Sequence, residues 1–324
     1  MPCKDRILST NIPKTCGNEA YAVFLQANYL IMRKTLILLM AILAFASCSE
    51  PNARYVKKAI HIMDKHGIYA QGPEWEKAKQ EALSAKPSSL EDAQEIVTKA
   101  GKVAGGKHTY LMTADEVTEN DTSSWEMPTV KMLENHIAFI KLPAFSGNAE
   151  DGIKYANTVL NVLPDALQGA IIDLRGNRGG NMYPMIAAVH RFLPDDAILK
   201  FSSRKRPMNI NTFFVMQSVG LEKQAPINCP VALLTDDWTD SSGEAVLICF
   251  RGLENTRTFG APTAGYCSCN QPFALPGGSQ LVLTIGEDIA RTGEAFCDDP
   301  ITPDVLTEMP FEDAFEWIDN QQIR

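Results

Sequence analysis

Two adjacent serines lie in a polar turn between an apolar run and a helical segment. Residues 231–235 (Val-Ala-Leu-Leu-Thr) form a short apolar run, which predicts a buried strand. The polar turn at residues 236–242 ends with Ser241 and Ser242, and an amphipathic pattern begins at Gly243. A hydroxyl on a strand-to-helix turn projects beyond the sheet, and the first amides of the helix can stabilise an oxyanion beside it. The pattern therefore indicates nucleophilic catalysis, and the alternative is a serine that only caps the helix.

The motifs around this turn resemble those of the C-terminal processing (tail-specific) serine peptidases. In that family the nucleophilic serine lies three residues before an acidic residue, and counting back from Glu244 assigns this role to Ser241 rather than to Ser242. Further motifs match in the family's order, and the resemblance covers most of the chain between residues 55 and 305. The matching stretches are Gly105-Gly-Lys-His-Thr109, Asp173-Leu-Arg-Gly-Asn-Arg-Gly-Gly180, Thr239-Asp-Ser-Ser-Gly-Glu244 and Phe259-Gly-Ala-Pro-Thr-Ala-Gly265.

The general base is expected to be a histidine. One branch of the family uses a lysine about 25 residues after the serine, but this position is Tyr266, and residues 258–300 contain no lysine. The other branch, which resembles the tricorn core protease and the interphotoreceptor retinoid-binding protein, has a histidine before a threonine, as His108-Thr109 does here. A histidine near its ordinary pKa accepts a proton at neutral pH and returns it to a leaving amine. The resemblance therefore implies His108 as the base, whereas a loop histidine outside such a motif is usually a solvent-exposed residue.

The resemblance also implies a late acidic residue that accepts a hydrogen bond from the imidazole. It should lie just before residues 301–304 (Ile-Thr-Pro-Asp), which are similar to a Gly-Val-x-Pro-Asp signature of the family. We select Asp298 over its neighbours Glu294 and Asp299, and the alternative for this acidic stretch is a surface turn. The residue next to the histidine, which assists in the tricorn branch, is here Lys107, and an ammonium group cannot accept a hydrogen bond.

An oxyanion hole requires two amides directed at one point. The amide of Ser242, the residue after the proposed nucleophile, is the first candidate. The second is expected in the glycine turn after the apolar strand at residues 169–174, because glycine lets the backbone approach a substrate closely. Gly179 and Gly180 are the candidates, and Gly180 fits better because it lies at the start of the next helix. The alternative is an ordinary loop between a strand and a helix.

The patterning after residue 129 is typical of an α/β fold. Apolar or alternating runs alternate with amphipathic helices, which predicts a parallel or mixed layered sheet, and the resemblance implies a ClpP/crotonase-like core. Residues 51–104 show three helical stripes and are expected to form an N-terminal helical cap. A polar loop is expected at residues 113–126, and residues 211–220 favour either a helix or a mobile flap. Only 19 residues separate Thr109 from the strand at 129. This is too few for the PDZ domain of about 80–100 residues that many family members insert here, so we expect none.

The N-terminal part of the chain resembles an export signal. Residues 1–31 have no clear pattern and are interpreted as the translation of a misassigned start, with Met32 as the true start. Residues 32–47 carry two basic residues and a 12-residue apolar run, which is too short to span a membrane and is typical of a signal peptide. Cys48 follows small residues as in a bacterial lipoprotein, where it would be lipidated, and cleavage after residue 46 is the alternative. The remaining divisions are an N-terminal helical segment, 48–104, and a peptidase core domain, 105–324.

Composition limits the partners of the protein. The chain has 324 residues, a net charge of -9 and a pI near 5.2, and an acidic chain argues against nucleic acid as a partner. We expect no cofactor and no metal, because Cys267-Ser-Cys269 without a second cysteine pair is a poor zinc signal. One of these two thiols could instead pair with Cys297 in an oxidising compartment.

The sequence therefore predicts an exported serine-type endopeptidase that hydrolyses peptide bonds through a Ser-His acyl-enzyme mechanism. It would reside in the cell envelope as a lipoprotein facing the periplasm or the cell surface, and would contact the membrane through its lipid anchor only. Its expected partner is a peptide or protein substrate. Two alternatives remain: a catalytically inactive relative that binds a peptide or an apolar ligand, and a serine hydrolase of esters or other non-peptide substrates.

Overall fold

The computed structural model describes residues 50–121, 125–204 and 207–321 of the chain. The predictions for residues 1–31, for the signal peptide at 32–47 and for Cys48 lie outside these ranges. None of the helices inside them is long and apolar enough to cross a membrane.

Three helices precede the sheets, as the apolar stripes predict. They are α1 (Glu50–His66), α2 (Gly72–Ser84) and α3 (Leu90–Gly105). Ser89 caps α3, because its hydroxyl accepts a hydrogen bond from the Asp92 amide at 3.1 Å. Trp75 of α2 is fully buried and shares a hydrophobic cluster with Leu281 and Leu283. The helical cap is therefore packed directly on the part of the chain that follows it.

The remaining elements alternate between strands and helices. In chain order they are β1 (Tyr110–Met112), α4 (Ala114–Asp121), β2 (Thr129–Met132), β3 (Ile137–Lys141), α5 (Ala149–Leu160), β4 (Gly169–Asp173), α6 (Met182–Val189), β5 (Ala197–Phe201), β6 (Met208–Asn211), α7 (Thr212–Val219), β7 (Val231–Thr235), α8 (Ser242–Phe250), β8 (Thr256–Gly260), β9 (Ser268–Ala274), β10 (Gln280–Ala290), β11 (Ala295–Phe296), β12 (Val305–Leu306) and α9 (Pro310–Gln321).

The first of two sheets is parallel except at one edge. Within the described chain its strand order is β12-β8-β7-β4-β3-β2, and only β2 runs antiparallel to its neighbour. Strands β4 and β7 are buried at every residue, which explains why both are continuous apolar runs in the sequence. Their carboxyl ends lie side by side, so the loops that follow them meet at one edge of the sheet.

The second sheet is antiparallel and is built around the long strand β10. Strands β1, β5, β9 and β11 pair with it, and β6 pairs with β5. Because β1 follows α3 directly, this sheet carries the loop that contains His108. The predicted nucleophile, Ser241, and the predicted base, His108, therefore lie in loops of different sheets.

Helices fill the space between the sheets and cover the outer face of the parallel one. Ile140, Ile172 and Leu233 of the parallel sheet share a core with Ile198 and Leu199 of β5 and with helices α5–α8. The alternate residues of β3, β4 and β7 face α9 on the other side. This mixed, layered α/β arrangement confirms the predicted fold class.

One local prediction is wrong, one of two alternatives is decided, and one strand was missed. The stretch expected to be a polar loop after β1 contains the helix α4, and the ambiguous stretch at residues 211–220 is the helix α7. Strand β9 was not predicted, because it is polar along much of its length and contains Pro272. It pairs with β10 over its full length, so tertiary pairing determines its conformation.

Candidate active site

The turn between β7 and α8 holds Ser241 in an unusual backbone conformation. Its φ is 50° and its ψ is -115°, a region that residues with a Cβ atom rarely adopt and that costs about 1–3 kcal/mol. The preceding turn is fixed by Thr239, whose hydroxyl donates to the Leu174 carbonyl at 3.0 Å. Asp236 accepts hydrogen bonds from the Gly176 amide at 2.9 Å and from the Trp238 amide at 3.1 Å. The surrounding loops therefore maintain a strained serine at the end of a buried strand, as in a nucleophile elbow.

Glu244 is the buried carboxylate that holds this turn against a second loop. Its Oε2 accepts from the Ser241 amide at 2.9 Å and from the Tyr266 amide at 2.7 Å. Its Oε1 accepts from the Gly265 amide at 2.9 Å and from the hydroxyl of Thr263. Burial raises the pKa of Glu244, and these hydrogen bonds act in the opposite direction because they favour the charged form.

The glycine turn after β4 lies directly against the nucleophile turn. The Asp240 amide donates to the Asn177 carbonyl at 2.9 Å, and the side chain of Asn177 reaches the Leu142 carbonyl at 2.8 Å. A Cβ atom on Gly179, whose φ is 87°, would lie 2.8 Å from Ser241 Cβ. Only glycine fits here, because any side chain would displace the serine.

The two glycines of this turn differ in what their amides can do. The Gly179 amide already donates to Asn177 Oδ1 at 2.9 Å, so it is not available to an oxyanion. Among the described residues, the amides of Gly180 and Ser242 have no hydrogen-bond acceptor. The Ser242 hydroxyl donates to the Gly180 carbonyl at 2.5 Å, which keeps the two residues together beside Ser241. The geometry therefore favours Gly180 over Gly179 as the partner of Ser242 in an oxyanion hole.

His108 is anchored to the antiparallel sheet by its own backbone and by the next residue. Asn270 donates from its side chain to the His108 carbonyl at 2.9 Å, and the Thr109 hydroxyl accepts from the Thr284 amide at 3.0 Å. The ring packs edge-on against Tyr266 with centroids 5.3 Å apart. The backbone amide of Tyr266 also donates a hydrogen bond to Glu244, so the imidazole and the nucleophile turn contact the same loop.

The partner of the imidazole is a serine rather than an acid. Nδ1 of His108 lies 2.8 Å from the Ser268 hydroxyl, and no partner of Nε2 is found in the part of the chain that the structure describes. The selection of Asp298 as the orienting acid is not supported by these contacts. The Asp298 carboxylate lies against Gly106, in the loop before the histidine, and a side chain at position 106 would collide with Asp298 Oδ2. The Oδ1 atom of Asp298 is buried without a partner among the described residues.

The surroundings of His108 keep its imidazole neutral. Burial lowers its pKa to about 4, and the positive charges of Lys102 and Lys107 act in the same direction. No carboxylate contributes in the opposite direction. The imidazole is therefore in the protonation state of a general base at neutral pH, and it remains so well below pH 6.

Ser241 and His108 line the same cleft between the two sheets. Its volume is about 970 Å³, and its walls include Gly180, Ser242 and Tyr266. No hydrogen bond between Ser241 and His108 is found among the described residues, and hydrogen bonds between catalytic groups often shorten only when a substrate binds. The structure thus brings together every predicted catalytic residue except Asp298.

No group of residues suited to a metal ion is present in the described ranges. The cysteines there are all free thiols, so the disulfide considered between Cys297 and one of the two earlier thiols is not formed. Cys267 instead donates to the Asp299 carbonyl at 3.4 Å.

Two residues that matter for this geometry were not recognised in the sequence. Glu244 was used only to number the nucleophile, although an acidic residue three positions after a turn serine is a known sign of a helix N-terminus. Ser268 carried no signal of its own, because a single serine in an unrecognised strand has no distinguishing pattern. Its role depends on how β9 pairs with β10, which local patterning does not reveal.

Comparison with known proteins relates this chain to one family. The sequence profile described as Peptidase family S41 matches residues 136–307, which include the glycine turn and the nucleophile turn. The carboxy-terminal processing protease CtpA of Bacillus subtilis is 24% identical over 192 residues. That match covers 59% of this chain and 39% of the protease.

Two further proteins are similar over most of the chain. The nisin-resistance protein of Lactococcus lactis is 32% identical over 279 residues, which cover 83% of this chain and 87% of that protein. A solved structure described as a lipoprotein from Streptococcus agalactiae has a TM-score of 0.76 and 28% identity, and covers 83% of this chain and 96% of that one. Both matches extend beyond residues 136–307, so the similarity includes part of the chain on the N-terminal side of the matched profile.

Replacing Glu244 by glutamine is expected to loosen the nucleophile turn. Glutamine keeps one oxygen that accepts hydrogen bonds, but the NH2 group that replaces the other oxygen can only donate, so at least one of the four donors loses its partner in a buried site. We expect the free energy of unfolding to fall by about 2–4 kcal/mol. We also expect the rate at which a fluorophosphonate labels Ser241 to fall at least about tenfold. Glu316→Gln, on the exposed side of α9, is the control and should change the free energy of unfolding by less than about 0.5 kcal/mol. Equal behaviour of the two variants would contradict the role assigned to Glu244.

The pH dependence of labelling should report the low pKa of His108. Because the neutral imidazole is the active form and its pKa is about 4, the labelling rate should decline only as the pH falls through about 4. Lys107→Met removes a positive charge that lowers this pKa, so the decline should move to higher pH. The matched control is Lys131→Met on the exposed edge strand β2, which should leave the profile unchanged. A wild-type decline centred at pH 6.5 or above would show that His108 is not the group that controls the serine.

Proposed function

Because this chain belongs to peptidase family S41 and is a serine-type peptidase, we propose that it cleaves peptide bonds with Ser241 as nucleophile and His108 as base. The observation that carries the proposal is the strained turn, which presents Ser241 to the cleft that His108 also lines. Strain of this kind persists only where the surrounding structure enforces it, and here four hydrogen bonds to one buried carboxylate do so.

The proposed reaction begins with transfer of the Ser241 proton to His108 Nε2. The serine oxygen forms a bond to the carbonyl carbon of the substrate, and the amides of Gly180 and Ser242 stabilise the negative charge on its oxygen. The carbon–nitrogen bond then breaks as His108 donates the proton to the leaving amine, which leaves an acyl-enzyme. Water, activated by the same imidazole, hydrolyses the acyl-enzyme and regenerates the serine.

Ser268 takes the place in this proposal that Asp298 had in the sequence-based hypothesis. With the proton on Nδ1, the imidazole donates to the Ser268 hydroxyl, and Nε2 is left free to accept the serine proton. A neutral hydroxyl fixes the tautomer and the ring orientation but does not stabilise an imidazolium as a carboxylate would. This arrangement is consistent with the low pKa of His108, which burial and two lysines produce.

We propose peptides as the substrates. The cleft is open to solvent and has a volume of about 970 Å³, which suits an extended chain rather than a small enclosed ligand. A relative of this chain is named for resistance to nisin, so nisin is a reasonable member of a test panel of peptides.

We also propose that the mature protein is exported and anchored by a lipid on Cys48. The support is the apolar run at residues 35–46 followed by a cysteine. A structurally similar protein from Streptococcus agalactiae is described as a lipoprotein. The protein would then act in the cell envelope on peptides that reach its outer face or the periplasm.

A fluorophosphonate probe and a substrate panel test the proposed chemistry together. Wild-type protein should be labelled at Ser241 and should cleave peptides, whereas Ser241→Ala should do neither. His108→Ala should slow both reactions by about a hundredfold or more, because the hydroxyl then has no base. Ser218→Ala, on the exposed side of α7 and outside the cleft, is the control expected to retain labelling and cleavage. Labelling without cleavage of any peptide, but with cleavage of esters, would favour a hydrolase of non-peptide substrates. Absence of labelling in folded wild-type protein would favour the non-catalytic, ligand-binding alternative.

Lipidation can be tested by metabolic labelling with a fatty acid analogue in a bacterial host. The full-length chain should incorporate the label and partition with membranes, and Cys48→Ser should lose both properties. Cys297→Ser is the matched control, because it removes a thiol from the described core without affecting the proposed anchor. Incorporation that persists in Cys48→Ser would contradict the assignment.

A further inference from the structure

Asp288 is a buried carboxyl in the wall of the catalytic cleft that the proposed mechanism does not use. It lies on β10, only 3% of its surface is exposed, and it lines the same cleft as Ser241 and His108. Its Oδ1 atom is buried, and no hydrogen bond or ion pair to it is found in the described ranges. An ionised carboxylate buried without a partner is costly, so its persistence at this position requires an explanation.

Within the described ranges, no cation is paired with Asp288. The two cations that line the cleft have other partners: Arg178 lies 3.7 Å from Asp240, and Lys107 lies over the ring of Tyr266 at 4.6 Å. The titratable groups that act on Asp288, or on which it acts, are Glu244 and the thiols of Cys249, Cys267, Cys269 and Cys297. None of these groups carries a positive charge, so the carboxyl has no counter-ion among the residues that the structure describes.

Burial is the main cause that raises the pKa of Asp288 to about 8, and the charge of Glu244 adds to it. The free protein therefore holds a largely protonated carboxyl at neutral pH. A positive charge placed beside this group would favour the ionised form and would supply the missing counter-ion.

The cleft that Asp288 lines has apolar walls suited to the aliphatic part of a long side chain, and one of the residues there, Phe201 of β5, pairs with Asp288. Ala245 lies one turn after Ser241 on α8, and Phe201, Met182 and Cys269 complete an apolar surface in the same cleft. Long basic side chains commonly pack their methylene groups on such a surface and place the charged end on a polar group. Ser241, Ala245 and Asp288 line this one cleft, so a basic side chain bound by Asp288 would belong to a residue near the scissile bond.

We propose that Asp288 forms the base of a specificity subsite that binds a positively charged side chain, lysine or arginine, close to the scissile bond of the peptide substrate. The inference rests on the proposed peptidase function of the cleft and specifies its substrate class. It assigns Asp288 to substrate recognition and not to proton transfer, because His108 Nδ1 is held by Ser268.

A series of matched peptides tests this inference. A single lysine is moved through the three positions on each side of the cleaved bond, and each peptide is compared with one that has norleucine at the same position. We expect lysine to be preferred in kcat/KM by about tenfold or more at one position, since a charge-assisted hydrogen bond contributes on this scale. Asp288→Asn should reduce that ratio to near one. Glu294→Gln, which removes an exposed carboxylate outside the cleft, should preserve the ratio.

The pH dependence of the same ratio provides a test that needs no variant. As the pH rises from 7 to 9, more of the carboxyl is ionised while lysine remains protonated, so the preference for lysine should increase in the wild-type protein. This measurement tests the proposed subsite even if the Asp288→Asn variant does not fold.

The outcomes separate this inference from the proposed function. Cleavage of the peptides without any preference for a basic residue, or a preference that Asp288→Asn retains, would overturn the subsite and leave the peptidase assignment intact. Cleavage of no peptide by folded wild-type protein would overturn both. A preference for lysine that is lost in Asp288→Asn and grows with pH would support both.

Discussion

The carboxylate of Glu244 is the interaction on which the geometry of the site depends. It accepts hydrogen bonds from the amide of Ser241 on one side and from the loop of residues 263–266 on the other. These bonds keep the serine in a backbone conformation that it would leave if it were free. Burial of the carboxylate is tolerated because donors surround it, and that arrangement fixes the distance between the two loops.

The loop that Glu244 holds also connects the two sheets of the fold. Tyr266 packs against the ring of His108, and Ser268, at the start of β9, holds the Nδ1 atom of that ring. The nucleophile belongs to the parallel sheet, and the base belongs to the antiparallel sheet. Residues 263–268 therefore contact both the nucleophile turn and the imidazole of His108. The catalytic cleft lies where the two sheets meet. This topology explains why groups that are far apart in the sequence reach one cavity.

The sequence was informative wherever a local pattern determines structure. The buried strand at residues 231–235, the helix that begins after Ser241 and the three helices of the cap follow from apolar periodicity and turn chemistry, and all are present. The glycine turn is predicted from its sequence as a site where the backbone approaches a substrate, and in the structure Gly179 lies directly against Ser241. What the sequence did not reveal depends on pairing between distant strands. Ser268 was missed and Asp298 was selected because the neighbour of an imidazole is set by the register of β9 on β10, and no local pattern encodes it.

The Glu244 carboxylate holds Ser241 in a cleft that also contains His108 and the amides of Gly180 and Ser242, which have no acceptor among the described residues. A crystal structure of the protein after reaction with a phosphonate inhibitor measures this arrangement directly. This arrangement predicts a covalent bond from phosphorus to Ser241, with a phosphoryl oxygen about 2.7–3.1 Å from the amides of Gly180 and Ser242. It also predicts that His108 Nε2 lies within hydrogen-bond distance of the adduct. An adduct whose oxygen contacts neither amide, or an imidazole directed away from it, would contradict the account.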